Sequence, residues 1–208
     1  MGTLLTALLA AALFTPLFVT GGVGRFDFWW WMTANNLVLI ALAARIDRGF
    51  LSRLAADLKE KAGGKVLLGI GSAAALYGVF FLGNLLSRLI LPGSGREIES
   101  IYGLKDGVEI WRVALLMVLV FGPGEELFWR AFLQHRLMDH LGRWRGLAAG
   151  ALLYAAVHLG SGNLMLVAAA LVCGLAWGGL YLWRRSPLLN AVSHTLWDLT
   201  VFLVLPYA

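Results

Sequence analysis

The chain has 208 residues, of which 60% are hydrophobic and 14% are charged, and its formal net charge is +5. Soluble globular proteins are nearer half apolar and one quarter charged. This composition excludes an ordinary soluble domain and indicates a protein whose surface faces lipid. The single cysteine, Cys173, excludes an intrachain disulfide and lies in an apolar segment, where we expect it to pack.

Seven predominantly apolar segments follow one another along the chain, most of them near the roughly 20 residues that a transmembrane helix needs. They cover residues 3–20, 28–44, 66–91, 108–133, 146–159, 163–183 and 187–206. The first has no Lys or Arg before it and no clear small-residue cleavage site after it, so we expect a membrane helix rather than a signal peptide. The sequence therefore predicts an all-α, polytopic bundle of about seven transmembrane helices in a single domain, residues 1–208.

The basic residues concentrate in alternate loops between these segments. Eleven lie in the second, fourth and sixth loops and five in the opposite loops, with Arg130 left inside a helix. The eleven are Arg45, Arg48, Arg53, Lys59, Lys61, Lys65, Arg136, Arg143, Arg145, Arg184 and Arg185. The positive-inside rule then places the amino terminus in the cytoplasm and the carboxyl terminus outside. We interpret the charge as a topology signal rather than a nucleic-acid-binding surface, in a bacterial or archaeal cytoplasmic membrane.

Two segments between the apolar stretches allow a structural prediction. Residues 48–61 place Phe50, Leu51, Leu54 and Leu58 on one helical face, with most charges on the other. This pattern fits a short helix lying on the cytoplasmic leaflet, and a solvated loop remains the alternative. Residues 93–107 are Gly-rich and mixed in charge, and we expect an outer loop.

Three of the apolar segments contain polar side chains that a lipid-facing helix would not carry. A charge near the bilayer centre costs at least ~3 kcal/mol, so such groups are expected to face the interior of the bundle and to serve function. They are Glu125, Glu126 and Arg130 in the fourth segment, Tyr154 and His158 in the fifth, and Asn190, His194 and Asp198 in the seventh.

The spacing of these side chains predicts which of them meet. Residues four apart share one face of a helix, so Glu126 should pair with Arg130. His194 and Asp198 share a face for the same reason. Glu125 is rotated by about 100° from Glu126 and should keep its carboxylate free.

The backbone around the two glutamates is expected to be irregular. Gly122-Pro123-Gly124 directly precedes them and should kink or break the helix there. On the predicted topology Glu126, His158 and His194 lie at comparable depths, so we expect them to meet in a cavity that opens toward the cytoplasm.

Three short motifs occur in order on the three polar segments. They are Glu125-Glu126-x-x-x-Arg130, Tyr154-x-x-x-His158 and His194-x-x-x-Asp198. Together they resemble the EExxxR, FxxxH and HxxxN/D signature of the CPBP family. That family comprises CAAX prenyl endopeptidases of the Ras-converting type and bacterial bacteriocin-processing and immunity (Abi) proteins. The resemblance places the catalytic core in residues 108–206 and implies a glutamate-dependent intramembrane endopeptidase that needs no metal or other cofactor.

The resemblance also implies roles for individual residues. Glu125 would be the general base that activates a water, with help from His158. His194 and Asp198 would polarise the scissile carbonyl and hold the developing oxyanion. The Glu126 and Arg130 pair would brace the first glutamate.

Two positions depart from the family pattern. Tyr154 replaces the usual Phe and adds a hydroxyl near the site. Asp198 stands where the family often has Asn. Because an ionised carboxylate cannot donate to an oxyanion, Asp198 either contacts the oxyanion in a protonated state or orients His194. Asn190 has no clear family counterpart, and we expect it to form a hydrogen bond between helices.

Four alternatives to this function remain open. One is a zinc-dependent version of the protease using one glutamate and two histidines, although the chain has no HExxH motif. The others are a serine protease acting through Ser161, a non-catalytic CPBP-fold scaffold or bacteriocin-immunity protein, and a transporter with a Glu/His proton relay. The expected partners are a membrane-associated protein or peptide and the lipid bilayer, with no nucleic acid.

Overall fold

The computed structural model describes residues 2–207 and is 87% helical. The prediction of an all-α protein is confirmed. The helices are α1 (Gly2–Thr20), α2 (Phe28–Ile46), α3 (Phe50–Lys59), α4 (Ala62–Ile90), α5 (Ser94–Tyr102), α6 (Ile110–Leu141), α7 (Arg143–Ala156), α8 (Leu164–Arg184) and α9 (Pro187–Leu199). Two short strands, β1 (Gly22–Val23) and β2 (Phe26–Asp27), pair antiparallel between α1 and α2, with Gly22 opposite Asp27.

Helices occupy all seven predicted apolar segments, but they differ in length. In the described part of the chain, α1, α4 and α8 are long and apolar enough to cross a membrane. A fourth span results if residues 94–105 and α6, which meet at a bend of 96°, are counted as one. Helix α7 has 14 residues, about 20 Å, which is shorter than the roughly 30 Å of a hydrocarbon core, and α9 has 13 residues before it continues as a π-helical segment at Thr200–Val204. The number of about seven spans therefore stays a prediction.

Two segments between the apolar stretches are helical. Residues 48–61 contain α3, which confirms the helix over the solvated loop, and its Phe50 is buried edge-on against Phe132 of α6. Residues 93–107, which we expected to be a loop, instead form α5 and a 3₁₀ turn at Gly103–Lys105. The physical reason is that α5 is held in place. The Glu97 carboxylate accepts from the amide of Met165 at 2.9 Å, at the start of α8.

Helix α6 runs through Gly122-Pro123-Gly124 without the expected break. The α-helical turn Gly122–Glu125 is flanked by π-helical segments at Met117–Phe121 and Glu126–Gln134. The wider turns accommodate Pro123, which has no N–H to donate, while the amide of Gly122 still bonds the carbonyl of Met117. π-Helical turns within α-helices are frequent at functional sites.

Polar contacts fix the ends of the bundle. Asp27 caps α2 by accepting from the amides of Trp29 and Trp30, and its other oxygen pairs with Arg112 of α6 at 2.6 Å. At the opposite end, Asp57 of α3 accepts from Lys65 at 2.6 Å and from the amide of Leu188 at 2.8 Å. The second contact anchors the first turn of α9, the helix that carries His194.

Candidate active site

Five of the polar side chains predicted from the three motifs line one cavity of about 460 Å³, whereas Glu126 and Arg130 lie outside its lining. Glu125 comes from α6, Tyr154 and His158 from α7 and its extension, and His194 and Asp198 from α9. The expectation that these groups meet in the bundle interior is confirmed. The rest of the wall is mostly apolar and includes Met32, Phe121, Cys173, Trp177, Trp197 and Phe202.

The predicted pair of Glu126 and Arg130 is confirmed. A guanidinium nitrogen of Arg130 lies 2.9 Å from Glu126 Oε1, and both side chains are almost completely buried. The guanidinium also lies over the ring of Tyr154, 4.4 Å from its centroid. Because a buried charge without a partner is very costly, removal of either residue would destabilise the fold.

Glu126 contacts α9 rather than Glu125. Its Oε1 accepts from His194 Nδ1 at 2.8 Å, and its Oε2 accepts from Asn190 Nδ2 at 3.0 Å. Glu126 and Arg130 form no hydrogen bond with Glu125, so the expectation that they brace the first glutamate stays a prediction. The rotation of about 100° between neighbouring residues directs Glu126 to α9 and Glu125 to α7. Asn190 also donates to the carbonyl of Trp177 at 2.8 Å, so its expected role between helices is confirmed.

Glu125 is held by the tyrosine that replaces phenylalanine in the family motif. The Tyr154 hydroxyl donates to Glu125 Oε2 at 2.6 Å, and both residues are buried at the cavity wall. The carboxylate takes no part in the Arg130 pair, as its rotation from Glu126 predicted. The hydroxyl that the sequence analysis noted only as a departure thus makes a direct contact with the proposed base.

His158 lies in the 3₁₀ turn Val157–Ser161 that extends α7. Its Nδ1 is 2.8 Å from the carbonyl oxygen of Tyr154. Because a carbonyl oxygen only accepts, Nδ1 carries the hydrogen, and in the neutral ring Nε2 carries the lone pair. Phe18 of α1 lies against the imidazole with a centroid separation of 4.6 Å and fixes its plane.

His194 lies between two carboxylates. Its Nδ1 donates to Glu126, and its Nε2 is 3.5 Å from Asp198 Oδ2, one turn further along α9. The predicted proximity of His194 and Asp198 is confirmed. Trp177 of α8 stacks on the imidazole with a centroid separation of 3.7 Å. A ring held between carboxylates and an indole face is well placed to carry positive charge.

The sequence did not identify three aromatic residues that shape the site. Trp177 and Phe18 hold the two imidazoles, and Trp197 lines the cavity with a buried indole N–H that has no hydrogen-bond partner within residues 2–207. No signal in the sequence separates Trp177 from Trp183, which is two turns away in the same apolar segment and 60% exposed.

The geometry bears on two of the alternative functions, the serine protease and the zinc-dependent protease. Ser161 donates its hydroxyl to the carbonyl of His158 at 2.7 Å and accepts from the amide of Asn163, so it stabilises a turn and does not line the cavity. Within residues 2–207, no three His, Cys, Asp or Glu side chains are grouped so that they could hold a metal ion.

The cavity extends from these polar groups to one end of the bundle. Its outer wall comes from the end of α4 at Leu91, from α5 and its following turn at Tyr102 and Leu104, and from Tyr207. On the topology predicted from the basic loops this is the non-cytoplasmic end. The expectation of a cytoplasmic basic end and the expectation of a cavity opening toward the cytoplasm therefore cannot both hold.

Fold and site together define an integral membrane protein of the helical type, with a buried carboxylate–imidazole centre at the base of an apolar cavity. Residues 107–200 match the family model described as type II CAAX prenyl endopeptidase Rce1-like. This match covers all three motifs and a little under half of the chain, and it confirms the resemblance to the CPBP family of CAAX-type proteases that the motifs indicated. Proteins of that family are membrane proteases with membrane-associated substrates, and the match does not favour a non-catalytic immunity protein. No curated protein and no solved structure gave a significant match to the chain.

Proposed function

We propose that this protein is a glutamate-dependent intramembrane endopeptidase that hydrolyses a peptide bond of a membrane-associated protein or peptide without a metal ion. The observation that carries the proposal is the position of Glu125. Its carboxylate lines the cavity, lies outside the Arg130 ion pair, and shares the cavity with His158 and His194. A carboxylate in that setting is available to accept a proton from a water molecule.

The reaction begins with a water bound beside Glu125 and His158. The water oxygen attacks the scissile carbonyl carbon, while one of its protons passes to the Glu125 carboxylate. His158 Nε2, which carries the lone pair, accepts the other hydrogen of the water and orients it. When the tetrahedral intermediate collapses, the carbon–nitrogen bond breaks and the proton passes from Glu125 to the leaving amine. The products are a carboxylic acid and an amine.

In the proposed reaction, the imidazole of His194 stabilises the developing oxyanion. With Nδ1 directed at Glu126, a positively charged His194 presents its Nε2 hydrogen toward the cavity. Glu126 and Asp198 stabilise the positive ring from either side. Donors fixed in advance of the reaction contribute about 3 kcal/mol each. In this proposal Asp198 stabilises the positive charge of His194 without accepting its Nε2 hydrogen, and it does not itself contact the oxyanion.

Tyr154 is a positioning residue. Its hydroxyl fixes one oxygen of Glu125 at 2.6 Å, and its main-chain carbonyl sets the tautomer of His158. One residue thus orients both groups that handle the water. Helix periodicity explains why one residue can contact both groups, because Tyr154 and His158 are four residues apart on the same face.

The first test compares Glu125→Gln with the wild-type protein in host membranes. Mass spectrometry of new peptide termini, performed in ¹⁸O-water, should detect cleavage products that carry one ¹⁸O in the new carboxyl group. These products should fall by at least about 100-fold in the variant, because a general base contributes roughly 10²–10⁴-fold. The matched control is Glu99→Gln, an exposed glutamate on α5, which should cleave like wild type. Unchanged products in a folded Glu125→Gln protein would remove the proposed base.

The second test separates positioning by Tyr154 from simple packing. Once a cleaved sequence is known, Tyr154→Phe keeps the ring and removes the hydrogen bond. A bond to a charged group contributes about 1.5–3 kcal/mol, so kcat should fall by roughly 10- to 150-fold. KM should change little, because the hydroxyl contacts Glu125 and not the substrate. A purely structural role for Tyr154 would instead lower protein stability and leave kcat per folded molecule unchanged.

A further inference from the structure

The cavity reaches one end of the bundle and stops well short of the other. Its polar base contains Glu125, His158 and His194, and its walls continue along the last turns of α4 and the first turns of α8. Its rim is formed by α5, which Glu97 and Lys105 attach to α8 and to the Phe202 carbonyl after α9. The path from the site to this rim is lined mostly by apolar side chains.

Toward the opposite end the helices pack closely around the site, and a second pocket of about 220 Å³ between α4 and α8 shares only Trp177 with the wall of this cavity. Below the polar groups, Phe132, Leu133 and Leu189 are each 0% exposed. Gln134, which is also buried, donates to the carbonyl of Gly178 at 2.8 Å and ties α6 to α8. These side chains occupy the space between the site and the loops that follow α6 and α8. A substrate segment therefore cannot reach Glu125 from that end without unpacking the core.

The charges of the two ends identify the membrane side of each. The closed end carries the loops with eleven Lys and Arg residues, whereas the loops of the open end carry five. The five are Arg25, Arg88, Arg96, Lys105 and Arg112, and Arg112 is paired with Asp27. Because Lys and Arg are retained on the cytoplasmic side, the closed end is cytoplasmic and the cavity opens on the opposite face.

We propose, on the basis of the function proposed above, that substrates reach this site from the non-cytoplasmic face of the membrane. The substrate class is then an exported protein or peptide that is held at the outer leaflet by an apolar anchor. The segment next to the anchor enters the cavity beneath α5, where apolar walls accept its side chains and Glu125 lies at the base. A cytoplasmic protein attached to the inner leaflet would meet the closed end.

Thiol labelling tests the orientation without any substrate. In a Cys173→Ala background, Glu99→Cys places a thiol on the exposed face of α5, and Leu141→Cys places one at the closed end. A third variant, Ala169→Cys, places a thiol on the cavity wall of α8. The probe is the membrane-impermeant cation 2-(trimethylammonium)ethyl methanethiosulfonate, and the readout is the intact mass of the protein. Detergent-solubilised samples of each variant establish that the thiol reacts.

In right-side-out vesicles, the probe should label the Glu99→Cys and Ala169→Cys proteins and leave the Leu141→Cys protein unlabelled. In inverted vesicles, it should label Leu141→Cys and leave Glu99→Cys unlabelled. Labelling of Leu141→Cys from the outside overturns the proposal, as does labelling of Ala169→Cys only in inverted vesicles or in neither. These outcomes do not depend on catalysis, so they leave the proposed hydrolysis intact. Conversely, full cleavage by Glu125→Gln would refute the hydrolytic mechanism while the labelling pattern still reports which face the cavity opens on.

Discussion

At Gly122, near the site, the backbones of α6 and α9 approach closely. A Cβ added to Gly122 would lie 2.8 Å from both the backbone nitrogen and the Cα of Thr195, and it would also overlap the Thr195 hydroxyl. Backbone atoms cannot rotate away, so Gly122→Ala must move α9 away from α6. The same displacement would lengthen the 2.8 Å hydrogen bond from His194 to Glu126, which spans these two helices.

The expected loss of stability follows from this contact. Adding a methyl group to a well-packed interior costs about 1–3 kcal/mol, whereas Ala in place of Gly favours a helix by about 0.5–1 kcal/mol. Gly78→Ala in α4 is the matched control, because a Cβ there meets nothing within 4 Å and Gly78 is exposed. The difference in unfolding free energy between the two variants should therefore be about 1–3 kcal/mol, with Gly122→Ala the less stable.

The measurement is chemical unfolding of purified protein in detergent micelles, followed by circular dichroism. A second variant separates the two sources of overlap. Adding Thr195→Ala to Gly122→Ala removes the hydroxyl but leaves both backbone contacts, so stability should recover only in part. Equal stability of Gly122→Ala and Gly78→Ala, or full recovery in the double variant, would refute the claim that backbone contact at Gly122 sets the distance between α6 and α9.

Three other predictions use the same unfolding measurement. Glu126→Gln should lose about 3–5 kcal/mol because Arg130 is left buried without a carboxylate, and adding Arg130→Met should restore most of the loss; a double variant no more stable than the single one would contradict this. Asp57→Ala should lose about 1–2 kcal/mol because the amide of Leu188 in the first turn of α9 and the ammonium of Lys65 both lose their acceptor while Ser186 still caps the helix, and unchanged stability would show that these two contacts contribute nothing. The hydrogen bond from Arg53 lowers the pKa of Asp47 below its ordinary value of 3.8, so this ion pair stabilises the fold above that pH and its contribution is lost as the pH falls. Arg53→Gln should therefore cost about 0.2–1 kcal/mol at pH 7, with the difference from wild type disappearing in acid; a constant difference across this range would contradict the assignment.

The contacts within single helices could be predicted from the sequence. Glu126 with Arg130, and His194 with Asp198, are each four residues apart, and the 3.6-residue repeat fixes which side chains share a face. The cost of placing charges in an apolar segment likewise predicted that Glu125 faces the interior. These inferences need no knowledge of the neighbouring helices.

The contacts between helices could not be predicted in the same way. Glu126 was expected to brace Glu125. The packing of α9 against α6 at Gly122 instead brings His194 and Asn190 within hydrogen-bond distance of the Glu126 carboxylate. The sequence predicted an irregular backbone at Gly122-Pro123-Gly124 but not its form, because a proline can be accommodated by a wider helical turn as well as by a break. Which of the two occurs depends on the helices packed around it.

The sequence by itself determined that this is an all-α membrane protein, that it carries the three CPBP motifs, and which polar groups lie on the same helical face. These properties follow from composition and from the regular repeat of a helix, which act over a few residues. Only the tertiary structure decided that Tyr154 holds Glu125, that Trp177 and Phe18 hold the two imidazoles, and that the cavity leads away from the basic end. These features depend on how distant helices pack, because the large side chains that close one end and leave the other open come from separate parts of the chain.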